Sequence, residues 1–163
     1  MNNFSNFLKY YNQIPSESKM IIESVQKWCQ QYLKPRVIND YRKEVTEREI
    51  FTEMGNLGIL GMTIPEYGAG MDYLSYGLVA KEIESIDSGY RSMFSVQSSL
   101  VMNPINQFGS EYQKKKFLPE LAQGNMIGCF GLTEPDYGSN PSGMITQMMI
   151  HTNDCDSMIT ERL

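Results

Sequence analysis

One stretch of the chain is dense in residues that could do chemistry: Gly128-Cys-Phe-Gly-Leu-Thr-Glu-Pro-Asp-Tyr-Gly-Ser-Asn-Pro-Ser-Gly-Met144. Gly131 and Gly138 lack a Cβ, so a planar ligand can approach the backbone there. Pro135 and Pro141 stiffen the run, and Thr133, Ser139 and Ser142 offer hydroxyl donors. The same composition also serves a plain strand–turn–strand, and on composition alone that is the simpler reading. Other chemistry is poorly provided for. Gly68-Ala-Gly70 starts like a dinucleotide fingerprint, but position 73 is Tyr and no strand precedes it, so a glycine-rich turn accounts for it. His151 is the single histidine, and Cys29, Cys129 and Cys155 form no CxxC pair, so a zinc site lacks ligands. Three widely spaced cysteines fit free thiols better than a disulfide framework.

The elements that must position this run are mostly helical. Ile21, Val25, Trp28 and Tyr32 recur at helical spacing and predict a helix over 17–33, with Ser16 as its N-cap and Pro35 ending or kinking it. A second helical piece is expected over 36–45. Thr46 and Glu49 fit a capping box for a third helix, which buries Ile50, Phe51 and Met54 and stops near Gly55 or Gly58. After a Gly/Pro loop over 61–70, Asp72 should cap a helix presenting Leu74, Leu78, Val79, Ile83 and Ile86, with Gly89 closing it. Another helix carries Met93, Phe94, Val96, Leu100 and Val101, with Pro104 near its end. Ser110 and Gln113 form a further capping box, before a helix interrupted at Pro119 and ended at Gly124. From Met126 no helical period survives. Strands are expected over 126–132, 145–151 and 157–160, separated by a loop to about Gly143.

The expected fold is therefore mainly α: an N-terminal extension over 1–15, a helical domain over 16–125, and over 126–163 the beginning of a β domain. The chain reads as cut inside that sheet, since an isolated hairpin has little stability of its own. Bulk properties narrow the partners. A net charge of −5 and a pI near 4.9 disfavour nucleic acid. The one basic run, Lys114-Lys115-Lys116, is short and fits a solvated helix face. No apolar run reaches 18 residues, so no membrane-spanning helix is expected. Met1–Pro15 lacks the apolar stretch of a signal peptide, and with one Lys and no Arg it is poor as a transit peptide.

Four strings resemble the acyl-CoA dehydrogenase family. Phe130-Gly-Leu-Thr-Glu-Pro-x-x-Gly-Ser139 is similar to the family's flavin signature. Asp87-Ser-Gly-Tyr-Arg-Ser92, continuing through Ser95-Val-Gln-Ser-Ser-Leu-Val-Met102, resembles its glutaryl-CoA dehydrogenase branch, as do Pro119-x-Leu-Ala-x-Gly124 and Glu53-Met-Gly-x-Leu-Gly58. The resemblance runs from about Ser16 to Met144. Beyond it, Thr160-Glu-Arg-Leu163 stands where similar members continue with a strand, an Asn-Gly-x-Lys turn and a Trp.

The resemblance implies a helical domain leading into a middle β domain, FAD as cofactor, and an acyl-CoA substrate. Phe130, Gly131, Leu132, Thr133, Glu134, Pro135, Gly138 and Ser139 would line the flavin, with Thr133 hydrogen-bonding its ring and Ser139 reaching flavin and thioester. Arg91 would face the distal carboxylate of a glutaryl group, which a planar guanidinium can hold by two parallel hydrogen bonds. Glu84 would stand beside it, and Ser92 and Ser95 would add hydroxyls. Seven residues, about two helical turns, place Glu84 and Arg91 on one face if the helix continues through Gly89. Without its flanking match, this would be an ordinary surface pair worth under about 1 kcal/mol. The implied reaction is oxidative decarboxylation of glutaryl-CoA to crotonyl-CoA, as in lysine and tryptophan degradation, with electrons passed to an electron-transfer flavoprotein. The implied whole enzyme is a homotetramer of the mitochondrial matrix. The family's catalytic glutamate falls beyond residue 163, so no residue here is assigned as base, and the chain alone is expected to be inactive. The alternatives are a shortened, non-catalytic homologue acting as a helical interaction module, and a general acyl-CoA dehydrogenase that carries an arginine at 91.

Overall fold

The computed structural model describes residues 14–146. They fall into two compact units that divide between Cys129 and Phe130. In the first unit, α1 (Ser16–Trp28) runs into a π-helical turn, Cys29–Leu33, and α2 (Val37–Lys43) follows a turn at Pro35. The proline does end the helix, as a residue with no N–H and a restricted predecessor should. Next come α3 (Glu49–Asn56), α4 (Tyr73–Glu84) and α5 (Ser88–Ser95). A seven-residue π-helix, Val96–Met102, leads from α5 into α6 (Asn103–Phe108), and α7 (Glu111–Ala122) completes the unit.

The apolar faces meet in one core. Val25 and Leu33 from the first helix, Ile50 and Met54 from α3, Val79 and Ile83 from α4, Phe94 from α5, and Leu118 and Leu121 from α7 are all buried in it. α1 packs on α4, and the Ser75 hydroxyl lies 2.8 Å from Ser18 Oγ across that contact. α7 ends in Gly124, which has φ +72 and passes so close to α3 that a Cβ there would lie 2.1 Å from Phe51 O. Only glycine satisfies both demands at once.

Local rules succeed where the cap lies within four residues. Asp72 Oδ1 accepts from Ser75 N at 2.8 Å, and Ser110 with Gln113 forms the full capping box. They fail where a neighbour intervenes. Ser16 is the first helical residue rather than the cap, because Pro15 occupies that position. Thr46 and Glu49 form no box, since a turn separates them and Arg48 precedes the first helical residue. α4 ends at Glu84, and Gly89 lies inside α5 instead of closing α4. Pro119 does not interrupt α7, whose flanking Leu118 and Leu121 are anchored in the core. Leu74 and Leu100, expected on buried faces, are exposed.

The expected strand over 126–132 is absent. A strand needs a partner ladder for its backbone groups. Here the groups at the start of the segment are satisfied another way. Met126 N donates to Glu120 O at 3.1 Å, and the Gln97 amide takes the next two. Its Nε2 donates to Leu121 O at 3.0 Å and to Met126 O at 2.8 Å, while its Oε1 accepts from Gly128 N at 3.0 Å. Gln97 is fully buried. A Cβ on Gly128 would stand 2.3 Å from the Val101 side chain, so only glycine lets this segment lie so close to the π-helix. The expected strand over 145–151 has only residues 145 and 146 described, both irregular; that over 157–160 lies outside the described residues. No described helix is long and apolar enough to cross a membrane.

Candidate functional site

The site is assembled at a break between two helices. α4 ends at Glu84, and three residues later Asp87 caps α5, its Oδ1 accepting from Gly89 N at 2.7 Å. The chain turns at this break, so the last residue of one helix meets the first turn of the next. Glu84 Oε2 accepts from Arg91 Nε at 2.7 Å, and Glu84 Oε1 accepts from Ser88 Oγ at 2.6 Å. The spacing of seven does bring Glu84 and Arg91 together, but through a corner rather than along a continuous helix.

Both oxygens of Glu84 are thus in use. The Ser88 hydroxyl, and then the Arg91 guanidinium, hold its carboxyl below the usual carboxylate range. An ionised carboxylate that accepts two such bonds fixes the plane of the guanidinium it faces. It takes the Nε edge of Arg91. Among the described residues no other hydrogen bond reaches that side chain, so its two outer nitrogens make none with the protein. Arg91 and Glu84 border an open depression of about 490 Å³, with Gly77, Ala80, Lys81 and Ser85 as its other walls. The small residues Gly77 and Ala80, one helical turn apart on α4, leave the space.

Ser92 and Ser95 follow on α5, half-buried, and neither borders this depression. Ser88 was not singled out from the sequence, although its place four residues after Glu84 is a usable signal. Lys81, one turn before Glu84 on the same wall, was also missed.

The second unit, taken by itself, carries the glycine- and hydroxyl-rich run. Phe130 and Leu132 are exposed, as are Gly131, Thr133, Pro135, Gly138 and Ser139. Glu134 serves the loop itself: its carboxylate accepts from Ile145 N at 3.0 Å and Thr146 N at 2.7 Å, and the Thr146 side chain first, then these backbone bonds, hold it below the usual range. A short 3-10 turn, Pro141–Gly143, closes the run. Neither Gly131 nor Gly138 has any atom within 4 Å of where a Cβ would sit. Among the described residues, no group of three metal-binding side chains converges; His151 and Cys155 lie outside them.

Residues 15–125 match the family model described as acyl-CoA dehydrogenase, N-terminal domain. The chain is 41% identical over 133 residues to the short-chain specific acyl-CoA dehydrogenase of Megasphaera elsdenii, covering 78% of this chain and 34% of that protein. It is 34% identical over 137 residues to the mitochondrial isovaleryl-CoA dehydrogenase of Bos taurus, covering 82% of this chain and 32% of that one. The chain spans about a third of the length of the curated relatives it matches. Among solved structures, a glutaryl-CoA dehydrogenase from Mycobacterium smegmatis in complex with FADH2 superposes with a TM-score of 0.82 at 44% identity, over 87% of this chain and 37% of that one. A helical unit that matches the family model over most of its length, with relatives active on several different acyl-CoAs, fixes the assignment at one level: the chain belongs to the acyl-CoA dehydrogenase family.

Proposed function

We propose that this chain contributes the helical, acyl-facing part of an FAD-dependent acyl-CoA dehydrogenase whose substrate carries a distal carboxylate, with glutaryl-CoA as the best fit. The observation that carries the reading is the Glu84–Arg91 corner. Glu84 holds the Nε edge of the guanidinium, and both residues border an open depression. A guanidinium presented in this way suits a planar carboxylate, whereas a butyryl or isovaleryl chain would leave it without a partner. Lys81 on the same wall adds positive charge, and Ser85 adds a hydroxyl. The match to a glutaryl-CoA dehydrogenase at 44% identity supports the same choice.

The second unit suits a flat cofactor. Exposed Phe130 and Leu132 offer apolar edges, Gly131 and Gly138 present open backbone, and Thr133 and Ser139 offer hydroxyls. A mixed surface of this kind fits the half-apolar, half-polar ring of FAD. When bound, FAD supplies the two-electron acceptor for hydride from the acyl chain. The residues of this chain bind and orient: Thr133 and Ser139 toward ring and thioester, Arg91 toward the far carboxylate. None of these residues is assigned as the base that takes the α-proton, and an electron-transfer flavoprotein is the proposed electron acceptor.

The test is a substrate pair on the complete flavoenzyme that carries these residues. Arg91→Ala should lower kcat/KM for glutaryl-CoA by roughly 30-fold, the loss of a charge-assisted hydrogen-bonded pair, and barely change that for butyryl-CoA. Equal losses on both substrates would sink the reading.

A further inference from the structure

The residue before Arg91 points the other way. Tyr90 is 5% exposed, and its hydroxyl donates to Asp40 Oδ2 at 3.1 Å, on α2. The same oxygen accepts from Arg36 Nε at 2.7 Å. Arg36 is held in turn by Glu47, 2.6 Å from its Nη2, and lies over the Tyr32 ring, 5.3 Å from guanidinium carbon to centroid. One oxygen thus ties α5 to a fixed assembly contributed by the first helix, α2 and the turn before α3.

α5 is a short helix, eight residues between a break and a π-helix. Its inward contacts are Tyr90 and, one turn on, Phe94, which stacks on Tyr76 at 4.8 Å between centroids. Stacking is tolerant of rotation about the helix axis, because an aromatic pair keeps most of its energy when offset. A hydrogen bond to a fixed oxygen is directional and is not. Successive residues on an α-helix project about 100° apart. Fixing Tyr90 inward therefore fixes the direction in which Arg91 leaves the helix, toward Glu84.

We infer that the Tyr90–Asp40 hydrogen bond is a positioning pair that sets the aim of Arg91 and so determines preference for an acyl group with a distal carboxylate. The inference rests on the reading of Arg91 given above. Neither residue touches the depression that Arg91 borders, so both act through the arginine.

The test measures the ratio of Kd for butyryl-CoA to Kd for glutaryl-CoA by calorimetry on the complete flavoenzyme, with thermal melting alongside. Tyr90→Phe keeps the ring and removes the donor; the ratio should fall about fivefold, the loss of one hydrogen bond's worth of order. Asp40→Asn retains an oxygen acceptor and should keep the parent's ratio whatever its melting temperature. A purely structural role would lower both affinities together or shift melting alone. A Tyr90→Phe enzyme with the parent's ratio overturns the inference, as does an Asp40→Asn enzyme that loses it. Arg91→Ala, measured in parallel, separates the two levels. If it collapses the ratio and Tyr90→Phe does not, only the positioning pair fails. If Arg91→Ala leaves the ratio intact, the reading of Arg91 fails, and the positioning pair with it.

Discussion

The molecule makes the same bond in two places and uses it differently. Arg36 Nε meets Asp40 at 2.7 Å, and Arg91 Nε meets Glu84 at 2.7 Å. Each carboxylate also accepts a hydroxyl, from Tyr90 in one case and Ser88 in the other. The surroundings differ. The side chains of the first pair are 15% and 9% exposed, those of the second 38% and 45%. Arg36 has every neighbour it can use, with Asp40, Glu47 and Tyr32 around it. Among the described residues the Arg91 side chain has one partner, on one edge. A buried pair with a full shell of partners holds helices in place; an exposed pair with an unused edge is what the proposed substrate role of Arg91 would draw on. The two are joined by the Tyr90–Arg91 peptide, so the buried pair stands directly behind the exposed one.

The largest effect should come from breaking the buried pair. Asp40→Ala removes the partner of Arg36 Nε and the acceptor of the Tyr90 hydroxyl, and should lower the chain's unfolding free energy by about 3 kcal/mol in urea titration. A loss no larger than that of a surface substitution would erase the distinction between the two pairs. A smaller effect sharpens it through pH. Hydrogen bonding from Arg36 holds the Asp40 carboxyl below its usual range, against the opposing effect of burial, with Tyr90 helping. A carboxyl depressed in the folded state stabilises fully above its unfolded pKa of about 3.9, and that contribution is lost as pH falls through the lower folded value. The urea midpoints of parent and Asp40→Asn should therefore be furthest apart throughout the range above the unfolded value of about 3.9, and should converge as the pH falls below it. A gap that stays constant would show that charge at Asp40 is irrelevant. The smallest effect belongs to the exposed pair. Glu84→Ala should leave the urea midpoint at the parent's value, because solvent and salt screen such pairs. A clear drop would make Glu84 a structural residue after all.

How far the sequence disclosed this arrangement depended on range. The caps at Asp72 and Ser110 were legible because their bonds close within three residues. The failure at Ser16 had an equally local cause, a proline in the capping position. Glu84 and Arg91 were singled out by resemblance, and their spacing was compatible with contact, though for a reason that proved different: a helix corner, not a continuous face. Tyr90 and Asp40 are 50 residues apart, and neither pattern nor propensity pairs a tyrosine with one aspartate among many. Gln97 was invisible for a second reason as well. It lies in a π-helix, where a 3.6-residue period does not describe which side chains turn inward, and its three partners lie 24 to 31 residues away. The expected strand at Met126 failed on that account, since a single amide side chain replaced the neighbouring strand.

That π-helix has a consequence for insertions and deletions. Its bonds span one residue more than those of an α-helix, and in it two consecutive polar residues, Gln97 and Ser98, both face inward. Gln97 holds the segment toward Gly128, and Ser98 Oγ accepts from Gly61 N at 3.1 Å. Deleting one residue between Val96 and Met102 would restore an ordinary helical count and turn every following side chain by about 100°. The register of Gln97 and Ser98 against their partners would then shift, disturbing the acceptors of Gly61 N and Gly128 N. One short helical segment thus serves two loops, so a change of its length should be poorly tolerated.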